Sequence, residues 1–465
     1  MSEPIAPPEL FRRVAIPRAY TTTETVEGER LRYGGDVRVG DLDGDGRAEL
    51  LVYRAVDGVK PSYLAAFTLD GDPLWEQGEG GDQPARPGPV VAYDVDGDGA
   101  DEVVCLFHDG STDDVEGDST DDAGGGSTDH DATDETGLAD VVMQIRDGAT
   151  GQVVRERHPP IFDEITGSGG NWVHQRLLVA NFRGTDRPRD FLIELGGAVL
   201  AFDDDLAVQW EYAVPDRWSE YPEHTAYFPA VGDVDDDGRD EVTAGKYLLD
   251  HDGSVRWERD LARHTDSVAI DTWNGEPRVF VSGFGHVVDA DGEVDLALGE
   301  DVAPHGQEIR VANFLADREG NEFLLRHRGH EPAVLLVGGD GEVLADFELN
   351  DTPNETGMTP VYWHGPDEPA IVCNGGALWT ADGRHRVDLP DLPEPVGPAI
   401  QDWSGYRMGW YHCIPANVCG DDREEVVVYD PWDEYVYVYT PAPLDEDAFA
   451  GYESTPRQYN ARIMD

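Results

Sequence analysis

The 465 residues predict an all-β chain of short strands grouped in repeated units of four, on three observations. An Asp-rich loop running straight into a β-branched apolar stretch recurs at one fixed spacing. An Asp-Gly turn followed by an apolar residue, often Trp, recurs after it. No helical period of 3.6 residues is sustained anywhere.

The loop is spelled first at Asp41, Asp43, Asp45 and Glu49, before Leu50-Leu51-Val52-Tyr53. It returns at Asp94, Asp96, Asp98 and Glu102, and again at Asp233, Asp235, Asp237 and Glu241. Alternate side chains of a curled loop converge on one point, and Gly44 and Gly46 supply the tight backbone it needs. Hard carboxylate oxygens at this spacing suit Ca²⁺. An EF-hand would place its last Glu at position 12 and flank the loop with helices; here a ninth-position Glu opens a strand. The alternative is a solvated acidic turn, and that is the reading for a degraded copy at Asn417, Cys419, Asp421 and Glu425. Units 3 and 6 begin their loops with Asn181 and Asn313 instead of Asp.

The turn is seen in Asp70-Gly71-Asp72-Pro73-Leu74-Trp75 and Asp252-Gly253-Ser254-Val255-Arg256-Trp257, and more loosely at Asp291-Gly292, Asp340-Gly341 and Asp382-Gly383. Asp-Gly between apolar runs is a hairpin signal. Loop, strand, strand, turn and strand make one unit. Eight begin near residues 36, 89, 172, 226, 264, 305, 356 and 394. Units of this size with four short strands are those of a β-propeller blade. The prediction is one propeller domain over residues 1–465, with eight blades, or seven if 264–300 fall short of a full unit. Residues 8–38 are strand-like and would complete the first or last unit. Residues 107–138 carry eleven acids, no Lys or Arg and almost nothing apolar, and read as a disordered insertion loop. The tail, 443–465, is expected to pack across the closing blades.

Formal charge is −62, from 96 acids against 34 bases, and only Lys60 and Lys246 among the bases are lysines. Self-repulsion on that scale opposes a compact state in dilute buffer. At about 1 M salt the screening length falls to roughly 3 Å, so the chain reads as salt-adapted. No basic patch offers a nucleic-acid surface. No apolar run approaches the roughly 20 residues of a membrane helix, and Met1-Ser2-Glu3-Pro4-Ile5-Ala6-Pro7 has no signal-peptide character. The expectation is a soluble, cytoplasmic protein unless an upstream signal has been removed. Cysteines 105, 373, 413 and 419 do not suggest a disulfide scaffold. Oligomeric state is not encoded in any of these features.

Histidines carry the remaining signal. His174, His224, His264 and His305 each stand at the start of a unit, just before its first strand. Equivalent positions of successive blades face one end of a propeller's channel, so these imidazoles would ring a common mouth. Singly, each is a satisfied core or surface histidine; the shared phase is what sets them apart.

The Asp-x-Asp-Gly-Asp-Gly-x-x-Glu loops with Asp-Gly-x-x-x-Trp hairpins resemble FG-GAP/VCBS-type propellers. The unit-start histidines, Val179-Ala180-Asn181-Phe182-Arg183-Gly184 and the closing Tyr459-Asn460 are similar, more narrowly, to the rhamnogalacturonan lyase and ulvan lyase families, from about residue 36 onward. That resemblance implies β-elimination at a uronic acid, with an anionic polysaccharide or oligosaccharide as partner. Three roles follow: a cationic neutraliser of the uronate carboxylate, a base for the C5 proton and an acid for the departing O4. The matching neighbourhood implies His174 and Tyr227 as the proton-handling pair, His224 close by, and Lys246 as neutraliser where ulvan lyases carry an arginine. It also implies a structural Zn²⁺, with His251, His264, Cys413 and Cys419 as candidate ligands and Cys373 as substitute. The competing class is a non-catalytic propeller that binds carbohydrate or protein. A hydrolase would want two carboxylates across a cleft, and none stands out among so many acids.

Overall fold

The computed structural model describes residues 4–16, 36–56, 60–78, 88–108, 138–164, 177–195, 197–219, 225–226, 228–262, 264–352, 356–395, 411–430, 433–441 and 451–461. These form eight four-stranded antiparallel sheets. Blades 1 to 7 span residues 36–78, 90–157, 177–213, 230–258, 268–297, 308–348 and 359–388. Blade 8 takes three strands from residues 412–440 and its outermost strand from Glu9–Ala15, which pairs antiparallel with Tyr435–Thr440. The amino-terminal strand therefore closes the ring by hydrogen bonds. Residues 268–297 are a full blade, so the count is eight. Phe107 and His108 finish a strand of blade 2, and the rest of the acidic insertion lies outside the described residues except Leu138.

The first strand of every blade is innermost and touches the first strand of both neighbours: Asp36–Gly40, Val90–Tyr93, Leu177–Ala180, Ala230–Gly232, Val268–Trp273, Glu308–Ala312, Thr359–Val361 and His412–Ala416, in a closed cycle. Inner strands such as Phe323 to Leu325 and Val426 to Val428 are buried on both faces, because each blade is covered by the next. The cores lie between blades; one joins Leu178 and Leu192 of blade 3 with Val242 and Leu249 of blade 4 and Val279 of blade 5. Each such buried Leu or Val contributes about 1.5–3 kcal/mol over its exposed state.

The Asp-Gly turn does more than reverse the chain. In blades 1 to 6 the fourth strand carries a bulge just after it, which bends the hairpin. The aromatic after one turn then lies on the turn of the next blade. Trp210 Nε1–H donates to His251 O at 2.8 Å, and its ring covers Gly253, where a Cβ would stand 2.9 Å from the indole. Trp75 donates to Gly148 O at 2.6 Å and covers Gly151 in the same way.

Among the described residues helix is confined to single turns, the last being Pro456–Tyr459. Among the described residues no helix is long and apolar enough to cross a membrane. That last turn sits at the end of the channel where the Asp loops lie and packs on the innermost strands of blades 8, 1 and 2, so the tail crosses the closing blades as expected. Asn460 accepts from Val179 N–H at 2.9 Å and donates to Val179 O at 2.8 Å. Gln458 donates to Pro415 O, Arg457 pairs with Glu424 at 2.9 Å, and Tyr452 N–H donates to Gly46 O at 2.7 Å. The tail thus touches blades 1, 3 and 8 and closes that end.

Candidate functional site

The Asp loops join the first and second strands, at the end closed by the tail. In each intact loop one oxygen of the ninth-position Glu accepts the N–H of the second residue: Glu49 from Leu42 at 2.9 Å, Glu102 from Val95 at 2.7 Å, Glu241 from Val234 at 2.8 Å. Most of these aspartates spend one oxygen on a loop amide, as in Asp41 with Gly46 and Asp45 with Arg47, while Asp94 and Asp233 spend both, on Gly97 and Gly99 and on Asp237 and Gly238. Ligand atoms of Asp41, Asp43 and Asp45, of Asp94, Asp96 and Glu102, and of Asp233, Asp235 and Glu241 lie within 4.8 Å of one another. Asp98 and Asp237 cap Ala100 and Arg239 N–H, at 2.9 Å each. Asp41 Oδ1 and Glu241 Oε1 are buried without a hydrogen-bond partner. Burial pushes Glu49 and Glu241 up to about 8, and the neighbouring aspartates add to it. Clustered, mutually repelling oxygens around one point fit a hard divalent cation such as Ca²⁺; in the third loop Arg256 pairs with Asp235 and lies 3.8 Å from Glu241 Oε1.

The degraded loops compensate their acids from within. In blade 3, Arg183 Nε meets Asp190 at 2.7 Å and Nη2 meets Asp204 at 2.8 Å. In blade 8, Arg423 pairs with Asp421, and Glu425 accepts from Val418 and Cys419 N–H.

At the other end of the channel, the segments entering blades 5 and 6 meet. The rings of His264 and His305 stack at 4.9 Å with an interplanar angle of 18°. His305 Nε2 lies 3.1 Å from Asp266 Oδ2, and Nδ1 or Nε2 of both histidines and the Asp266 carboxylate fall within 4.8 Å. Asp266 is buried and the imidazoles are half-buried or exposed. Local packing fixes this arrangement. Ser267 Oγ accepts Ile309 N–H at 3.1 Å, and Gly306 N–H donates to Gly283 O at 2.7 Å, so close that a Cβ on Gly306 would meet Ser282 O at 2.2 Å. Two of the four unit-start histidines are therefore neighbours, with a buried carboxylate that the spacing did not indicate. Its signal was the His-x-Asp order of His264-Thr265-Asp266.

His174, His224 and Tyr227 lie outside the described residues. Between the latter two, Ala226 N–H donates to Ala244 O at 2.9 Å, beside the turn that carries Lys246. The lysine departs from expectation. Its side chain has no exposure, and Nζ donates to Ala262 O at 2.7 Å and to Asp260 at 3.4 Å. It holds residues 260–262, the approach to His264, and is too deep to touch a polymer. Gly245, next to it, packs on Thr265.

The four proposed zinc ligands do not converge. His251 sits on the outer hairpin of blade 4, with Asp250 at 2.6 Å and Arg239 at 2.6 Å. His264 is at the channel mouth. Cys413 is buried in blade 8 with Cys373 in its core cluster, and Cys419 packs in another cluster. Blades 4 and 8 face each other across the ring, which separates the donors. His264 instead joins Asp266 and His305.

A family model described as rhamnogalacturonan lyase family 11, C-terminal domain, matches residues 12–278, more than half of the chain. Two proteins of Bacillus subtilis (strain 168) are similar in sequence. The rhamnogalacturonan exolyase YesX is 28% identical over 281 residues, 53% of this chain and 43% of its own. The rhamnogalacturonan endolyase YesW is 28% identical over 274 residues, 52% of this chain and 42% of its own. The match thus spans less than half the length of these relatives. Among solved structures, rhamnogalacturonan lyase YesW superposes with a TM-score of 0.63 at 21% identity, covering 96% of this chain and 77% of that one. A Bacillus licheniformis rhamnogalacturonan lyase gives 0.62 at 20% identity, over 93% and 76%. At such identities these two speak for the fold.

Proposed function

The chain belongs to rhamnogalacturonan lyase family 11, and from that premise we propose that it cleaves a rhamnogalacturonan-type polysaccharide by β-elimination at the channel end that carries His264, Asp266 and His305. The observation that carries this reading is the stacked imidazole pair beside a buried carboxylate at a common mouth.

The chemistry balances without redox. A base takes the proton at C5 of the uronic acid, that electron pair forms the C4–C5 double bond, the C4–O4 bond breaks, and an acid protonates O4. His174 and Tyr227 are assigned the two proton transfers, with His224 close by. His174 precedes Leu177, the first residue of the innermost strand of blade 3, and Tyr227 precedes the innermost strand of blade 4 at Ala230; these strands neighbour each other, and that of blade 4 also neighbours the one entered through His264. His264, Asp266 and His305 fit a divalent cation, which when bound supplies positive charge opposite a uronate carboxylate. The Asp loops are assigned structural Ca²⁺. They stand at the end closed by the tail, so their ions would pin blades and leave the chemistry to the mouth.

The test is incubation with rhamnogalacturonan in about 2 M salt, a condition that screens a polyanion from a polyanionic enzyme, while following absorbance of the unsaturated uronate. Product formation lost in His264→Ala or His305→Ala supports the site. Binding of the polymer without any product would replace the lyase by a carbohydrate-binding propeller.

A further inference from the structure

The turn between Glu241–Thr243 and Tyr247–Leu249 of blade 4 is Ala244-Gly245-Lys246, and it stands at the His264–His305 end of the channel. It is locked from within, since Thr243 Oγ1 donates to Tyr247 O at 2.7 Å and accepts Gly245 N–H at 3.0 Å. The chain that leads from blade 4 to blade 5 is tied to this turn along its length. Arg259 N–H donates to Lys246 O at 2.9 Å. Lys246 Nζ donates to Ala262 O at 2.7 Å and to Asp260 at 3.4 Å. Thr265 Oγ1 donates to Ala244 O at 3.4 Å, an oxygen that also accepts Ala226 N–H at 2.9 Å. Gly245, at φ +95°, lies so close that a Cβ there would stand 2.8 Å from Thr265 Cβ.

The same stretch is fixed on its other side by blade 5. A Cβ on Gly283 would meet Ala262 Cβ at 2.6 Å and His264 O at 2.9 Å. Gly283 O in turn accepts the N–H of Gly306, next to His305, at 2.7 Å. His264 is thus held between two turns, one carrying Lys246 and one that also anchors His305. Lys246 is fully buried, whereas the Asp260 carboxylate that answers its charge is largely exposed. A buried charge costs free energy that a packed apolar side chain would not, so stability alone does not account for an ammonium here. Its compact head, with three rotatable donors, suits a single carbonyl better than a planar guanidinium fork does. Apart from Lys60, every other base in the chain is an arginine.

We propose that Lys246 is a positioning residue. By holding Ala262 O it fixes the backbone two residues before His264, and so keeps that imidazole stacked on His305 beside Asp266. It touches no substrate. Its effect on turnover rests on the mouth being the place where the glycan is cleaved.

The test uses the full chain in high salt, with its histidines labelled at Cε1. Stacked rings shift each other's ring protons, so His264 and His305 report their own stacking at one fixed pH, their signals being identified with His264→Ala and His305→Ala. In Lys246→Met both signals are expected to move, while those of His158 in blade 2 and His412 in blade 8 stay in place. On rhamnogalacturonan, kcat should fall by about 10- to 100-fold, the scale of a misplacement of about 1 Å at a reacting group, with KM unchanged. Lys246→Arg keeps a donor for Ala262 O and should recover part of both changes. Thr265→Val removes the tie to Ala244 O and should move the same two signals by less; it carries the test if Lys246→Met does not fold. Wild-type ring signals in folded Lys246→Met, or in Thr265→Val where Lys246→Met does not fold, overturn the proposal. In an active wild type, moved signals with an unchanged kcat overturn it as well. If wild type forms no product, the lyase reading fails and the ring signals still decide the positioning. If wild type forms product and Lys246→Met matches it in both readouts, the positioning fails and the lyase stands.

Discussion

Asp101 Oδ2 accepts the backbone N–H of Asp41, in the preceding blade, at 2.9 Å, and the N–H of Asp101 donates back to Asp41 O at 2.7 Å. The eighth residue of one Asp loop thereby grips the first residue of the previous one. Asp240 does the same to Asn181, at 2.7 and 3.2 Å, and Glu424 to Tyr362, at 2.7 and 3.1 Å. The loops are thus links in a belt around one end of the ring. Asp101→Ala orphans a buried amide and should lower stability by about 1–3 kcal/mol. Asp101→Asn keeps an acceptor oxygen and should lose less. Denaturant midpoints at fixed salt and calcium check both; an alanine variant as stable as wild type would refute the belt.

The arginine of the third blade and the cations of the other loops are expected to do one job by different means. Calcium titration of chelated protein should show binding at the loops of Asp41, Asp94 and Asp233, with a rise in Tm on each addition. Arg183→Ala should lower Tm without changing the stoichiometry, since its guanidinium already sits between Asp190 and Asp204. Asp43→Asn should change the stoichiometry. A chain whose Tm ignores both chelator and calcium would rule out the cation reading of the loops.

Glu194, in the second strand of blade 3, is buried and its Oε2 has no hydrogen-bond partner among the described residues. Burial pushes its carboxyl up to about 8 from 4.5. The folded chain then holds this proton up to about pH 8, whereas the unfolded chain releases it near 4.5. Stability therefore falls as pH rises across that window and is level above it. Glu194→Gln removes this slope and should be more stable than wild type at pH 9, by on the order of 4 kcal/mol. Urea unfolding at pH 5 and pH 9 gives the comparison, and parallel wild-type and variant profiles would contradict it.

Charge sets a further expectation. With a net −62, dilution from about 1 M to about 0.1 M salt lengthens the screening distance from roughly 3 Å to roughly 10 Å, and repulsion between blades should lower Tm. Far-ultraviolet circular dichroism, followed beside activity, separates unfolding from weakened attraction for a polyanion. A Tm independent of salt would end the salt-adapted reading.

Repetition explains what was legible. The Asp loops and Asp-Gly turns are written by neighbours along the chain, so eight units and their order could be read without coordinates, and the phase of His264 and His305 followed from the units. Relations between blades have no such local spelling. Trp210 over Gly253 is half-visible, since both belong to the motif, but which turn each Trp covers depends on how sheets stack. Lys246 drew notice by its rarity, yet its burial is decided by residues 260–262 folding over it. The zinc quartet failed for a related reason: donor chemistry carries no distance, and blades 4 and 8 stand on opposite sides of the ring.

Asn460 shows the same limit at its widest separation. Its side-chain amide satisfies both backbone groups of Val179, as a neighbouring strand would, across 281 residues. The tail is thereby fixed to blade 3 while Tyr452 fixes it to blade 1, through Gly46 O and Val39 O. Asn460→Ala leaves two polar groups of an innermost strand unpaired, at a cost of about 1–3 kcal/mol for each that water cannot reach. Asn460→Asp keeps the acceptor and loses the donor, so it should fall between. If the tail closes the channel, both variants should raise amide exchange at residues 451–461 and at Val179 before the blades themselves unfold. Hydrogen exchange in high salt measures this directly. Unchanged protection in Asn460→Ala would mean that the tail is held by its apolar contacts, Tyr459 against Tyr93 at 4.8 Å foremost.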